Sequence, residues 1–89
     1  MEVSNELRDQ IKTMLVKRLR LKMEPADIGN DQPLFGEGLG LDSIDVLEVV
    51  AGIEKEFGVA IESQEEGERV LRNVESIAQF LIERGAVKA

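Results

Sequence analysis

Cysteine and histidine are both missing from these 89 residues, as are tryptophan and tyrosine. Without cysteine there is neither a disulfide framework nor a thiolate metal site, so apolar burial must hold the fold by itself. Without histidine the chain lacks the commonest general base and the commonest metal ligand, and no metal site is expected. Three phenylalanines are the whole aromatic complement, which leaves no stacking platform for single-stranded nucleic acid. A net charge of −7 also repels a phosphate backbone. No apolar run approaches the ~20 residues of a membrane span. The opening Met1-Glu2-Val3-Ser4-Asn5 lacks the basic start and apolar run of a secretion signal. A cytoplasmic monomer with no membrane span and no nucleic-acid partner is therefore expected.

What is present fits one domain over residues 1–89, with the thin core of a chain that buries only about 60% of its unfolded surface. Charge is distributed unevenly. Residues 1–23 hold six basic and three acidic groups, residues 24–68 one basic and thirteen acidic, and residues 69–89 four basic and two acidic. The middle segment, with Lys55 as its single cation, projects a negative field that attracts basic patches on partners. The same charge also serves simply as a solubilising face.

Helical periodicity organises the chain. Leu7, Ile11, Met14, Leu15 and Leu19 mark one face of a helix from about Ser4 to Leu21, capped by Ser4 or Asn5 and stopped before Pro25. Residues 24–41 contain both prolines and four of the eight glycines, which predicts a long loop with one helical turn near Ala26-Asp27-Ile28. Ile28, Leu34, Phe35 and Leu39 are the apolar anchors that would pin it to the core. Asp42 is placed to cap a second helix, with Asp45 at the third helical position of a capping-box-like arrangement. That helix is predicted to run to Phe57 and to stop at Gly58. Val59-Ala60-Ile61 is read as an extended connection. A short third helix is predicted over Gln64 to Val70. Asn73 caps a fourth, with Val74, Ile77, Ala78, Leu81 and Ile82 on one face and Gly85 beyond its end. No segment alternates with period two. The fold class is all-α, a four-helix bundle of three main helices and a short third one.

The second helix has more apolar residues than one face uses. Val46, Val49, Val50, Ile53 and Phe57 follow the spacing of a core stripe. Ile44, Leu47 and Ala51 form a second stripe, interleaved with Asp45, Glu48 and Glu54. The pattern is open between two arrangements: a central helix buried on both stripes, or a surface face mixing apolar and acidic groups beside Ser43.

The run Phe35-Gly36-Glu37-Gly38-Leu39-Gly40-Leu41-Asp42-Ser43-Ile44-Asp45, followed by Leu47-Glu48 and by Glu54-Lys55-Glu56-Phe57-Gly58-Val59, resembles the signature of acyl carrier proteins. The resemblance extends from the first helix to Val74-Glu75-Ser76-Ile77. Alone, Ser43 is an ordinary helix-start serine and the Asp-Ser-Ile triplet is a weak signal. Set in this context it implies that Ser43 carries 4'-phosphopantetheine, transferred from coenzyme A by a separate magnesium-using phosphopantetheinyl transferase, with Asp42 and Ile44 flanking the attachment site. The chain would then be a carrier and not an enzyme. It would hold acyl groups as thioesters for fatty-acid, lipid or polyketide-like synthesis, and visit acyl-loading and ketosynthase-type partners. The phosphodiester is expected near the unpaired amides of the helix start, which favour an anion, while Asp42 and Asp45 push the arm outward.

Docking is expected through Asp45, Glu48 and Glu54 around Ile44, Leu47 and Ala51. An acyl chain is expected to fold back between the second and third helices near Val50, Ile53, Ile61 and Leu71. Ile44, Lys55 and Gly40 depart from the commonest fatty-acid carrier pattern, which suits a specialised pathway. A peptidyl, aryl or D-alanyl carrier, or a helical interaction domain without a prosthetic group, are the alternatives. A serine hydrolase is excluded because Ser43 sits in no Gly-x-Ser-x-Gly elbow and no histidine could activate it. Gly36, Gly38 and Gly40 fit neither nucleotide-loop spacing, and the acids from Asp27 to Asp45 do not fit a calcium loop.

Overall fold

A computed structural model describes residues 3–35, 38 and 40–85 of the chain, and four α-helices account for most of them. The first, α1, spans Asn5–Leu19, with the Ser4 hydroxyl accepting from the Leu7 amide at 3.1 Å. Its face of Leu7, Ile11, Met14 and Leu15 is buried as the periodicity requires. It ends two residues before the predicted boundary because Arg20 turns left-handed at φ 52° and closes the last turn onto the Val16 carbonyl.

The loop that follows contains the expected turn, a 3₁₀ element over Pro25–Asp27. Ile28 and Leu34 are buried and Phe35 is half-buried, while Leu39, predicted as a further anchor, lies outside the described residues. Backbone bonds reinforce these anchors. The Leu34 amide donates to the Arg72 carbonyl at 3.0 Å, and the Glu75 amide donates to the Asn30 carbonyl at 3.2 Å. The described part of the loop is thus tied to the junction ahead of the last helix by backbone bonds that stand in for secondary structure.

Helix α2 spans Ser43–Phe57, and Gly58, left-handed at φ 71°, stops it with an amide bond back to the Glu54 carbonyl. Gly52 in its middle marks the crossing with α1. A Cβ there would stand 3.0 Å from Met14 Sδ and 3.3 Å from Arg18 Cγ. The helix propensity lost at this glycine, about 1 kcal/mol, is offset by the close approach it permits.

Helix α3, Gln64–Val70, is capped by Ser63 and buries Gly67 and Val70. Helix α4, Val74–Glu83, starts from a reciprocal cap: Asn73 Oδ1 accepts from the Ser76 amide at 2.7 Å and Ser76 Oγ accepts from the Asn73 amide at 3.0 Å. Val74, Ile77, Ala78, Leu81 and Ile82 are all buried, and so is Phe80, which the single-face pattern did not include. The Arg84 guanidinium lies 4.8 Å from the Phe80 ring centre and covers the side that periodicity would leave to solvent. Arg84 also pairs with Glu66 of α3 at 2.6 Å, and Arg8 of α1 pairs with Glu75 of α4. No helix among the described residues is long and apolar enough to cross a membrane.

Candidate functional site

The start of α2 is fixed from both sides. Leu41 is buried, its amide donates to the Leu34 carbonyl at 3.1 Å, and Gly40 ahead of it takes φ 71° to turn the chain. Asp42 is then extended at φ −112°, as a cap residue must be. One oxygen of its carboxylate accepts from the Ile44 and Asp45 amides, both at 3.0 Å, and the Asp45 carboxylate accepts from the Asp42 amide at 3.0 Å. Ser43, the first helical residue, takes no part in this network, and its side chain is exposed. A rigid capped turn therefore presents a free hydroxyl to solvent.

The cap corrects one expectation. Two amides that were to attract an anion at the helix start are already engaged by Asp42, leaving a site bordered by two carboxylates. One oxygen of each carboxylate is engaged in the cap, and the chain has no histidine to serve as a general base beside Ser43.

The same serine lines a groove of about 660 Å³ between α2 and α3. Its apolar walls are Phe35 from the loop, Val46, Leu47 and Val50 from α2, and Ile61 and Leu71 from either side of α3. This volume lies within the ~300–1,000 Å³ usual for small-molecule sites. Three of the four side chains expected to meet an acyl chain line it. Ile53 does not: it shares the stripe of Val46 and Val50 but is wholly buried in the core and does not reach the groove. Phe35, Gly67 and Arg72 line it too, and no periodicity groups them, since they come from a loop, a helix interior and a turn.

The open question of α2 has a clear answer. Ile44 is 71% exposed and Leu47 is 70% exposed, the two large apolar side chains that stand out of the described surface. Val49 and Ile53 fill the core, whereas Val46, Val50 and Phe57 are half-buried at its edge. Glu48 and Glu54 are exposed beside Ile44 and Leu47, and Ala51 is half-buried between them. Asp45 is also half-buried, its carboxylate held by the cap. The surface that results is a small apolar centre with an acidic rim, adjoining Ser43.

Comparison with known proteins adds the remaining finding. The family model described as "Phosphopantetheine attachment site" matches residues 9–81. An acyl carrier protein of Wolinella succinogenes is 36% identical over 57 residues, covering 64% of this chain and 71% of the relative. One from Buchnera aphidicola is 36% identical over 64 residues, covering 72% and 75%. One from Phytoplasma australiense is 40% identical over 53 residues, covering 60% and 66%.

Proposed function

Because the chain belongs to the acyl carrier proteins, the family of the phosphopantetheine attachment site, we propose that Ser43 is its point of attachment and that the groove beside it receives the cargo. Members of this family are carriers and not enzymes, and they bear a covalent 4'-phosphopantetheine. That group supplies a flexible arm ending in a thiol on which acyl groups are held as thioesters.

The observation that carries the assignment is the placement of one exposed serine hydroxyl on a rigid capped turn, at the edge of an apolar groove. Ser43 Oγ forms the bond to the pantetheine-side phosphorus of coenzyme A as the pyrophosphate bond breaks, and adenosine 3',5'-bisphosphate leaves. Its proton passes to a base supplied by the phosphopantetheinyl transferase, Asp42 and Asp45 serving to hold the capped turn. Asp42 and Ile44 hold the turn that the transferase must recognise. The apolar walls of Phe35, Val46, Leu47, Val50, Ile61 and Leu71 favour an aliphatic acyl cargo, whose burial there is favourable. Ile44, Leu47 and Ala51 form the centre of a docking face for acyl-loading and ketosynthase-type partners, with Asp45, Glu48 and Glu54 as its rim.

Intact mass after incubation with coenzyme A and a transferase tests the assignment. The wild-type chain should gain one phosphopantetheine and Ser43→Ala none. A mass gain retained by Ser43→Ala would move the site to another residue.

A further inference from the structure

Glycine inside a helix weakens it, because its backbone loses the most freedom on folding and it has no side chain to bury. It is expected where the geometry demands it. Gly52 meets such a demand, since any side chain there would press into Met14 and Arg18. Gly67 does not. It is the fourth of the seven residues of α3, it is buried, and its φ lies outside the left-handed region. A Cβ at Gly67 would meet a single neighbour, Ile61 Cγ2 at 3.7 Å, which is an ordinary contact. Alanine would fit and would make a better helix.

What a side chain would change at this position is the groove. Gly67 lines it beside Ile61 and Leu71, across from Val46 and Val50 of α2. The bare backbone it exposes there is already satisfied: the Gly67 amide donates to the Ser63 carbonyl at 3.0 Å, and the Gly67 carbonyl accepts from the Leu71 amide at 2.9 Å. An apolar tail lying against it would therefore strand no polar group.

Resting on the reading that the groove receives the cargo, we propose that Gly67 is a specificity-determining residue. By withholding a side chain it leaves the α3 wall recessed, and the groove admits aliphatic acyl tails long enough to lie along that wall. A branched side chain in its place would fill the recess, leaving short acyl groups unaffected and turning long ones out into water.

The test uses the full chain bearing phosphopantetheine loaded with butanoyl, octanoyl or dodecanoyl groups, in wild type and in Gly67→Ala, Gly67→Val and Gly67→Leu. Thioester hydrolysis rate and melting temperature are measured for each. In wild type, hydrolysis should slow and melting temperature rise with chain length. Gly67→Ala should keep most of that dependence. Gly67→Leu should lose at least about fivefold of the protection of dodecanoyl while butanoyl hydrolyses as in wild type, consistent with the burial energy of each added methylene. A cooperative melting transition of the butanoyl form reports an intact fold, and Gly67→Val gives the same contrast if the leucine variant does not fold. Full protection of dodecanoyl in both branched variants would overturn the role of Gly67 while leaving the groove as the cargo site. Absence of any chain-length dependence in wild type would remove the groove reading and this inference together.

Discussion

Helices α2 and α4 are both rich in apolar residues, yet they use them differently. In α4, six of ten residues are buried, and even Phe80, on the side away from the main stripe, is covered by Arg84. In α2, only three of fifteen are buried, and Ile44 and Leu47 stand open to solvent. Folding accounts for every large apolar side chain of α4. It leaves two of α2 unexplained, and those two adjoin Ser43, the proposed attachment site. The apolar content of a helix becomes a functional signal only when the fold fails to consume it.

The contrast breaks most visibly if α4 proves tolerant. Phe80→Ala should cost about 3–5 kcal/mol, a large part of the ~5–15 kcal/mol total of a small domain, because the vacated core can close only in part. Urea titration measures it, and a loss below ~1 kcal/mol would mean that α4 is not the structural helix.

The two caps sharpen the comparison. Asp42→Ala and Asn73→Ala each remove a side chain that accepts from its helix's first-turn amides, and each should cost about 1 kcal/mol. Their effects on modification should differ: loosening the start of α2 slows phosphopantetheine transfer to Ser43, whereas loosening α4 leaves it unchanged. Transfer rates followed by mass spectrometry separate them, and equal rates for the two variants would detach the Asp42 cap from the function of Ser43.

The smallest effect on stability belongs to the exposed face of α2. Leu47→Ala and Glu48→Lys should each shift stability by no more than about 0.5 kcal/mol. In binding they divide. Leu47→Ala should speed dissociation from a transferase or ketosynthase by roughly five- to thirtyfold, about 1–2 kcal/mol. Glu48→Lys should slow association and flatten its salt dependence, because a rim charge acts through a field screened over about 8 Å at physiological ionic strength. Stopped-flow binding at two salt concentrations resolves both. Unchanged rates in both variants would make the face merely solubilising.

Much of this architecture was legible in the order of residues. Ser4, Asp42 and Asn73 announce helix starts because each places an acceptor where free amides need one. Gly58 announces a stop because only the left-handed region completes that turn without strain. Even the short α3 has the predicted bounds. The exposed first position that Ser43 takes on α2 follows from the Asp42 cap before it.

Ile44 and Leu47 were not placed by periodicity, because a second apolar stripe has the same spacing in a buried helix as in an exposed one. Phe80 escaped because its cover, Arg84, is a cation acting through its flat face. Ile53 was misassigned to the groove since a helix stripe says which residues share a side, not which neighbour that side meets. The groove itself joins Phe35, Val50 and Leu71, a relation that exists only once α2 and α3 have packed.

The link from Arg84 to Glu66 has a bearing on motion. Helix α3 has seven residues, two of them buried, and one of those is glycine, so little apolar contact holds it down. The ion pair to α4 is a tether whose strength falls with added salt. Sub-global opening begins where buried contact is least, which places the α3 amides among the quickest of the four helices to exchange with deuterium, and quicker still in salt. If the groove holds the cargo as proposed, the α3 side is the wall through which loading and release would proceed, while the capped turn at Ser43 keeps its position.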